Sequence, residues 1–162
     1  MRIVYNTNTG TTKKYAEALA ERLGCEAIPF GDASPTDDKV IFMSWVQMGQ
    51  IQLLKEAVER FSIIAVAAVG VMSLGSEGEA ALKESCPVEK LFVLPGAFSI
   101  DKLSGMYKMM MKMALSMMKS KLKNSDDPKD KKAFQIFENG IDLYDESRLD
   151  SIVEQLTDGE ER

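Results

Sequence analysis

Short, continuous apolar runs recur along the chain at the length of β-strands. Four runs are strongly apolar, and a weaker one precedes the second of them; in chain order they span residues 3–5, 25–30, 40–43, 63–69 and 91–94. In the four strong runs the apolar residues are consecutive rather than alternating, which is typical of strands covered on both faces in a parallel sheet.

The segments between these runs carry helical spacing. Tyr15, Leu19 and Leu23 lie on one face of a predicted helix, and Gly24 is placed to end it as a C-cap. The same spacing recurs over residues 51–61 and 149–156. Strands that alternate with helices predict an α/β fold with about five strands in a doubly wound parallel sheet and helices on both faces.

Length and composition indicate one globular domain over residues 1–162. The chain has 162 residues, close to the usual prior of roughly 150 for a domain. The polar stretch from Asn124 to Lys132, interrupted by Pro128, is predicted to be a solvated surface loop. A net charge of −5 disfavours nucleic acid as a partner.

The histidine and cysteine content limits which catalytic, metal-binding and disulfide sites the chain can form. Histidine is absent, which excludes Ser-His-Asp and Cys-His nucleophilic pairs and histidine-ligated metals, so we predict no metal site. Cys25 and Cys86 are far apart, which argues against a disulfide framework. Together with the lack of a signal peptide or a long apolar run, this predicts a cytoplasmic protein.

The segment from Thr7 to Thr12, TNTGTT, follows the first strand directly and precedes the first helix. An open α/β sheet binds anions at this position, where Gly10 allows close backbone approach and threonine hydroxyls can donate hydrogen bonds. Walker A and GxGxxG motifs are both missing, which removes the best evidence for ATP or NAD. The alternative is a turn that only caps the helix, with Thr11 or Thr12 as an ordinary N-cap.

Eight positions around this loop match the flavodoxin signature in full: Ile3, Val4, Tyr5, Thr7, Gly10, Thr12, Ala16 and Leu19. The sequence therefore resembles the flavodoxin family, which implies a flavodoxin-like fold and FMN as the cofactor. The resemblance assigns the FMN phosphate to Thr7, Asn8, Thr9, Gly10, Thr11 and Thr12.

Two further loops are expected at the same sheet edge, after the third and fourth strands, flanking the isoalloxazine ring. The residues expected there are Ser44, Trp45, Val46, Gln47, Met48, Gly49, Gly70, Val71, Met72 and Gly75. Trp45, the single tryptophan, is predicted to stack on the ring, the alternative being an anchor folded into the core. The second loop has no aromatic residue, although many flavodoxins stack a tyrosine there, so Met48 or Met72 is the expected substitute.

Seven of the eleven methionines lie between Met106 and Met118. Lysines form a stripe along the same predicted helix, at Lys108, Lys112, Lys119 and Lys123. One interpretation is an ordinary penultimate helix of the sheet, with methionine as core filler. The other is a surface that meets a membrane or a large, flat, apolar substrate.

The stretch VLPGAFSIDKLSGMYKMMMKM, residues 93–113, resembles the quinone-dependent protoporphyrinogen IX dehydrogenases of flavodoxin type. The resemblance implies an FMN-dependent oxidoreductase that passes electrons to a quinone. Residues 106–123 would then lie where these enzymes contact membrane, quinone or porphyrin, which allows a peripheral position at the inner membrane face. The alternatives are a soluble flavodoxin-type carrier that docks to a redox partner, and a scaffold that has lost flavin. No catalytic residue is assigned, because flavin carries the redox chemistry.

Overall fold

The computed structural model describes residues 1–70, 75–122 and 125–157. Its main sheet contains the strands β1 Arg2–Asn6, β2 Glu26–Pro29, β3 Val40–Gln47, β4 Gln50–Ile51, β5 Ile63–Gly70 and β6 Leu91–Pro95. The order is β2-β1-β3-β5-β6 with every pairing on this path parallel, while β4 pairs antiparallel with the end of β3. The predicted doubly wound parallel sheet is confirmed, with the strand order of flavodoxin-like folds.

The described helices are α1 Thr11–Leu23, α2 Leu54–Arg60, α3 Gly75–Ser85, α4 Gly105–Leu122, α5 Pro128–Asn139 and α6 Leu149–Thr157. Helices α1 and α6 pack with one face of the sheet, and α2 and α3 contribute to the buried cluster on the other face. Gly24 ends α1 in a left-handed conformation, with φ of 61°, as the sequence predicts.

Strand β3 shows why its apolar residues are consecutive. Ile41 and Met43 pack into the cluster on one face, whereas Val40 and Phe42 pack into the cluster on the other. All four are fully buried. Complete burial of such a side chain contributes about 1.5–3 kcal/mol, so a polar residue on either face would be costly.

Strand β3 also extends past its predicted end. The predicted loop at residues 44–49 is in fact the end of β3 followed by a tight turn, because Val46 pairs with Ile51 in an antiparallel hairpin. Met48 and Gly49 form the turn with φ of 50° and 76°, both left-handed, as such two-residue turns require. Because Ile51 belongs to β4, the predicted helix over residues 51–61 is shorter and begins at Leu54.

Residues 97–142 leave the sheet after β6 and return before α6; we call them the α4–α5 module. Two short strands close its base, since β7 Ala97–Phe98 pairs antiparallel with β8 Ile141–Asp142. Helix α4 packs mainly on α5 and on the short 3-10 turn Ile100–Lys102. The interpretation of residues 106–123 as an ordinary sheet-packed helix is therefore wrong, and no residue of Gly105–Leu122, all of which is described, is buried.

The polar stretch at residues 124–132 was predicted to be a loop, and this prediction is wrong from Pro128 onward. Proline is tolerated in the first turn of a helix, where its missing N–H is no loss, and α5 begins at this residue. Within the described ranges, no helix is long and apolar enough to cross a membrane.

Candidate functional site

An open cavity of about 280 Å³ lies where β1 and β3 end, at the carboxyl edge of the sheet. Its walls come from three parts of the chain that are distant in sequence, and the lining residues are Asn6, Thr7, Asn8, Trp45, Gln52, Leu53 and Tyr107. The structure thus brings the predicted phosphate loop and the single tryptophan to one place. It adds Asn6, Gln52, Leu53 and Tyr107, which the sequence analysis missed.

The loop before α1 folds so that no described side chain caps the first turn of the helix. Gly10 is the N-cap of α1 and has φ of 94°, and no side chain in the described structure caps this end of the helix. The Thr7 hydroxyl instead accepts a hydrogen bond from the Gly10 N–H at 3.1 Å. The alternative in which Thr11 or Thr12 is an ordinary N-cap is therefore wrong, because both lie inside the helix.

The residues of this loop differ in what they expose. Thr7 and Asn8 are half-buried and line the cavity, whereas Thr9, Gly10, Thr11 and Thr12 are not among its lining residues. The Gly10 N–H and the Thr9 hydroxyl already donate within the protein, to the Thr7 hydroxyl and to the Ala97 carbonyl. Thr11 is also half-buried, whereas Thr12 is 1% exposed and its hydroxyl is withdrawn from solvent. First-turn amides of an uncapped helix carry partial positive charge and can donate to an anion.

Ser44 connects the segments around the cavity and is itself fully buried. Its hydroxyl accepts a hydrogen bond from Asn6 Nδ2 at 3.2 Å and donates one to the Gln52 carbonyl at 2.7 Å. This network fixes the end of β1 against the β3–β4 hairpin. Ser44 therefore shapes the cavity from behind rather than lining it.

Trp45 lies on β3 itself, where it pairs with Val69, and not on a loop. It is half-buried and lines the cavity, and the two buried clusters of the described residues do not include it, which contradicts the core-anchor alternative. The Tyr107 ring stands nearly perpendicular to it, with centroids 6.2 Å apart and an interplanar angle of 82°.

The structure places the other residues that were predicted to flank the ring in several different elements. Val46 and Gln47 are hairpin residues of β3, and Met48 with Gly49 forms the tip, where Met48 is 96% exposed and away from the cavity wall.

The second predicted ring loop begins at Gly70, which ends β5, where its carbonyl accepts a hydrogen bond from the Gly96 N–H at 2.6 Å. Gly75 begins α3. Val71 and Met72 lie outside the described residues.

The cavity carries little charge of its own. Of the described residues that line it, none is charged. The described tyrosine with the largest shift, Tyr144, packs on Tyr15 of α1 outside the cavity; burial and a hydrogen bond to Glu146 raise its pKa to about 12. The arrangement therefore offers neutral donors, amides and aromatic surface, which suit binding and orientation rather than proton transfer by a tuned acid or base.

Comparison with known families gives one match. The family model for the flavodoxin domain matches residues 2–126, most of the chain, and its members typically bind a flavin, usually FMN. The match includes the parallel strands, the loop before α1 and α4, and it ends before α5 and α6. No curated protein and no solved structure gave a further match. The chain belongs to the flavodoxin-domain family.

Proposed function

We propose that this chain is an FMN-dependent oxidoreductase of the protoporphyrinogen IX dehydrogenase type, passing reducing equivalents to a quinone. The observation that carries the flavin part is the uncapped start of α1 beside a cavity walled by Trp45 and Tyr107. One side of this site offers backbone amides, and the other offers aromatic rings. A phosphate attached to a planar ring system needs both.

The residues present fit FMN without a charged ligand set. The amides and hydroxyls of residues 7–11 would hold the phosphate, as the family resemblance implies, and the α1 dipole favours its negative charge. Trp45 would face the ring, with the side-chain amides of Asn6 and Gln52 placed at the cavity wall to hydrogen-bond its polar edge. Bound FMN supplies the redox chemistry, and the chain's part is to bind, orient and desolvate it.

The membrane part of the proposal rests on the outer face of α4. This face carries five methionines, and each is more than half exposed: Met106, Met109, Met110, Met113 and Met117. The opposite face, which carries Met111, Leu115, Met118 and Leu122, is half-buried. At 100° per residue these two sets lie on opposite sides of the helix, so the exposed methionines are not the contact with α5.

Charge on α4 complements an anionic surface. The helix carries Lys108, Lys112, Lys119 and Lys121 and no acidic residue, although the whole chain has a net charge of −5. Apolar side chains flanked by lysines are typical of helices that lie in the membrane interface. We propose that residues 106–123 contact anionic lipid peripherally and so bring the flavin site to a lipid-dissolved quinone.

The first experiment tests the cofactor. We expect the purified protein to be yellow and to release FMN on denaturation, identified by chromatography and by its spectrum. A colourless protein that takes up no added FMN would contradict the proposal and favour the scaffold alternative.

The second experiment separates the enzyme from a soluble carrier. Lys112, Lys119 and Lys121 changed to glutamine are compared with the same change at Lys39, Lys55 and Lys83, which are exposed and lie elsewhere. Each interfacial lysine contributes about 1 kcal/mol, so the first set should weaken binding to anionic vesicles by on the order of 100-fold. The control set should not.

Turnover is measured on the same samples, with protoporphyrinogen IX as donor and a menaquinone analogue as acceptor. Salt-sensitive vesicle binding together with quinone-dependent turnover supports the proposal. FMN binding without vesicle binding or turnover would contradict the enzyme and leave the soluble electron-transfer protein as the function.

A further inference from the structure

We infer that Tyr107, in the first turn of α4, is a flavin-contacting residue that the α4–α5 module supplies to the cofactor site. The inference rests on the proposed function, since it needs FMN in the cavity. Tyr107 lines the cavity although more than fifty positions separate it in sequence from every other lining residue. It is 43% exposed, so a large part of its ring is available to a ligand.

The rings of Trp45 and Tyr107 form two nearly perpendicular walls that meet in a corner of the cavity. Trp45 and Tyr107 stand at 82° to each other with ring centroids 6.2 Å apart, and both face the same opening. A planar aromatic ligand in this corner meets the face of one ring and the edge of the other, and both are favourable aromatic contacts. Among the described residues that line the cavity, Trp45 and Tyr107 are the two aromatic ones, so Tyr107 provides the second aromatic wall.

Several contacts order the segment that leads into α4. Leu103, just before the helix, is buried, and Lys108 Nζ donates a hydrogen bond to the Asp101 carbonyl at 3.2 Å. Thr9 of the phosphate loop reaches the base of the module, where its hydroxyl donates to the Ala97 carbonyl at 3.4 Å. The tyrosine is thus part of an anchored wall and not of a free helix end.

The test compares FMN binding to apoprotein in Tyr107→Ala, Tyr107→Phe and Leu143→Ala. Leu143 is 42% exposed and does not line the cavity, so it controls for loss of a similarly exposed apolar side chain. Loss of one aromatic contact should raise the Kd for FMN about three- to tenfold in Tyr107→Ala. Tyr107→Phe keeps the ring and should stay close to wild type, as should Leu143→Ala.

Flavin fluorescence gives a second measurement, because a change in the stability of the fold alone does not alter the quenching of bound FMN. Bound FMN should be strongly quenched in the wild type and partly recovered in Trp45→Ala and in Tyr107→Ala. The double variant should differ from the sum of the two single changes, because rings in contact with one ligand and each other are coupled. Tyr107→Leu, which keeps apolar bulk, should recover emission as Tyr107→Ala does.

The outcomes separate the two proposals. If the wild type binds no FMN, the proposed function and this inference fall together. If the wild type binds FMN and Tyr107→Ala matches Leu143→Ala in Kd and emission, the flavin function stands and Tyr107 is not a flavin contact.

Discussion

At the scale of single residues, the backbone of Gly10 decides what the phosphate loop can do. Its φ of 94° is strained for any residue with a Cβ, although a Cβ there would meet no atom within 4 Å. The glycine is required for conformation and not for space. This conformation directs the loop so that Thr7 holds Gly10, and the first amides of α1 remain without a side-chain cap.

The phosphate assignment predicts the effect of a charge placed in this loop. Asn8→Asp keeps the side-chain shape but sets a carboxylate beside the cavity, so it should repel a phosphate and remove a donor. We expect FMN binding to weaken by about 1.5–3 kcal/mol, or roughly tenfold to a hundredfold. The measurement is fluorescence titration of apoprotein with FMN and, in parallel, with riboflavin.

Riboflavin lacks the phosphate, so its affinity should change much less than that of FMN. Gln155→Glu on α6 introduces the same charge far from the loop and should leave both affinities unchanged. An equal loss for FMN and riboflavin in Asn8→Asp would mean that this residue contacts the ring and not the phosphate.

At the scale of secondary-structure elements, the α4–α5 module depends on its narrow base. The β7–β8 ladder is two residues long, and Leu143 adds one bond from its N–H to the Gly96 carbonyl at 3.0 Å. Gly140, which leads from α5 into β8, has φ of 77°, and a Cβ there would lie 2.7 Å from the Phe98 carbonyl oxygen. Both the conformation and the space at Gly140 exclude a larger residue.

Gly140→Ala should therefore loosen the module while leaving the sheet intact. The left-handed conformation alone costs roughly 1–2 kcal/mol for an L-residue, and the contact with Phe98 adds to this. We expect faster hydrogen exchange across residues 105–139 and little change in β1, β3 and β5. Gly31→Ala is the matched control, because Gly31 does not have a positive φ and a Cβ there would meet no atom within 4 Å.

If both alanine variants exchange alike, the base of the module does not depend on Gly140. The same two variants also test the cavity, since Tyr107 lines it and lies on α4. Loosening the module should then weaken FMN binding in Gly140→Ala and not in Gly31→Ala.

At the scale of the whole molecule, a tyrosine pair joins the first helix to the C-terminal segment. Tyr15 of α1 and Tyr144, which precedes α6, have ring centroids 4.4 Å apart. The Tyr15 hydroxyl donates to the Pro95 carbonyl at 2.7 Å and accepts from the Asp145 N–H at 2.9 Å. Burial is the main cause that raises the pKa of both tyrosines.

The raised values predict how stability depends on alkaline pH. The pKa of Tyr144 rises from its ordinary value of 10.0 to about 12 in the folded protein, so the folded state favours the neutral phenol. This stabilisation is complete below pH 10 and is lost as pH rises through about 12, with Tyr15 acting in the same direction. The free energy of unfolding should therefore fall with pH over this range.

Urea unfolding at several pH values, for the wild type and Tyr144→Phe, measures this effect. Phenylalanine keeps the ring but does not titrate, so the variant should lose less stability between pH 10 and 12. All other ionisable side chains are the same in both proteins, so the comparison isolates the contribution of Tyr144. Parallel curves would show that Tyr144 contributes nothing to the pH dependence.

Local patterns in the sequence were sufficient for the sheet and its first helix. Burial on both faces forces consecutive apolar residues, which is why β1, β3 and β5 could be predicted. The predicted runs also overlap the edge strands β2 and β6, although most of their residues are half-buried or exposed. Gly24 could be predicted as a C-cap because the left-handed conformation at the end of a helix favours glycine. The position of the predicted phosphate loop between β1 and α1 could be predicted because its motif is contiguous and follows the first strand directly.

Two features that depend on pairing or packing with a neighbouring element were not predicted. The continuation of β3 into a hairpin depends on pairing with Gln50 and Ile51, and the turn uses Met48 where a left-handed residue is rarely methionine. Helix α5 begins at Pro128 in a stretch whose polarity alone indicates a loop, because its stability comes from packing on α4.

Neighbouring residues encode the parallel α/β sheet, the family and the place of the predicted phosphate loop between β1 and α1, so local patterns were sufficient for them. The packing of α4 on α5 and the contact of Tyr107 with Trp45 at the cavity follow only from the three-dimensional arrangement of the elements. Periodicity reports which face of an element is apolar, but not which surface covers it. For α4 the covering surface is α5, and its methionine face stays exposed.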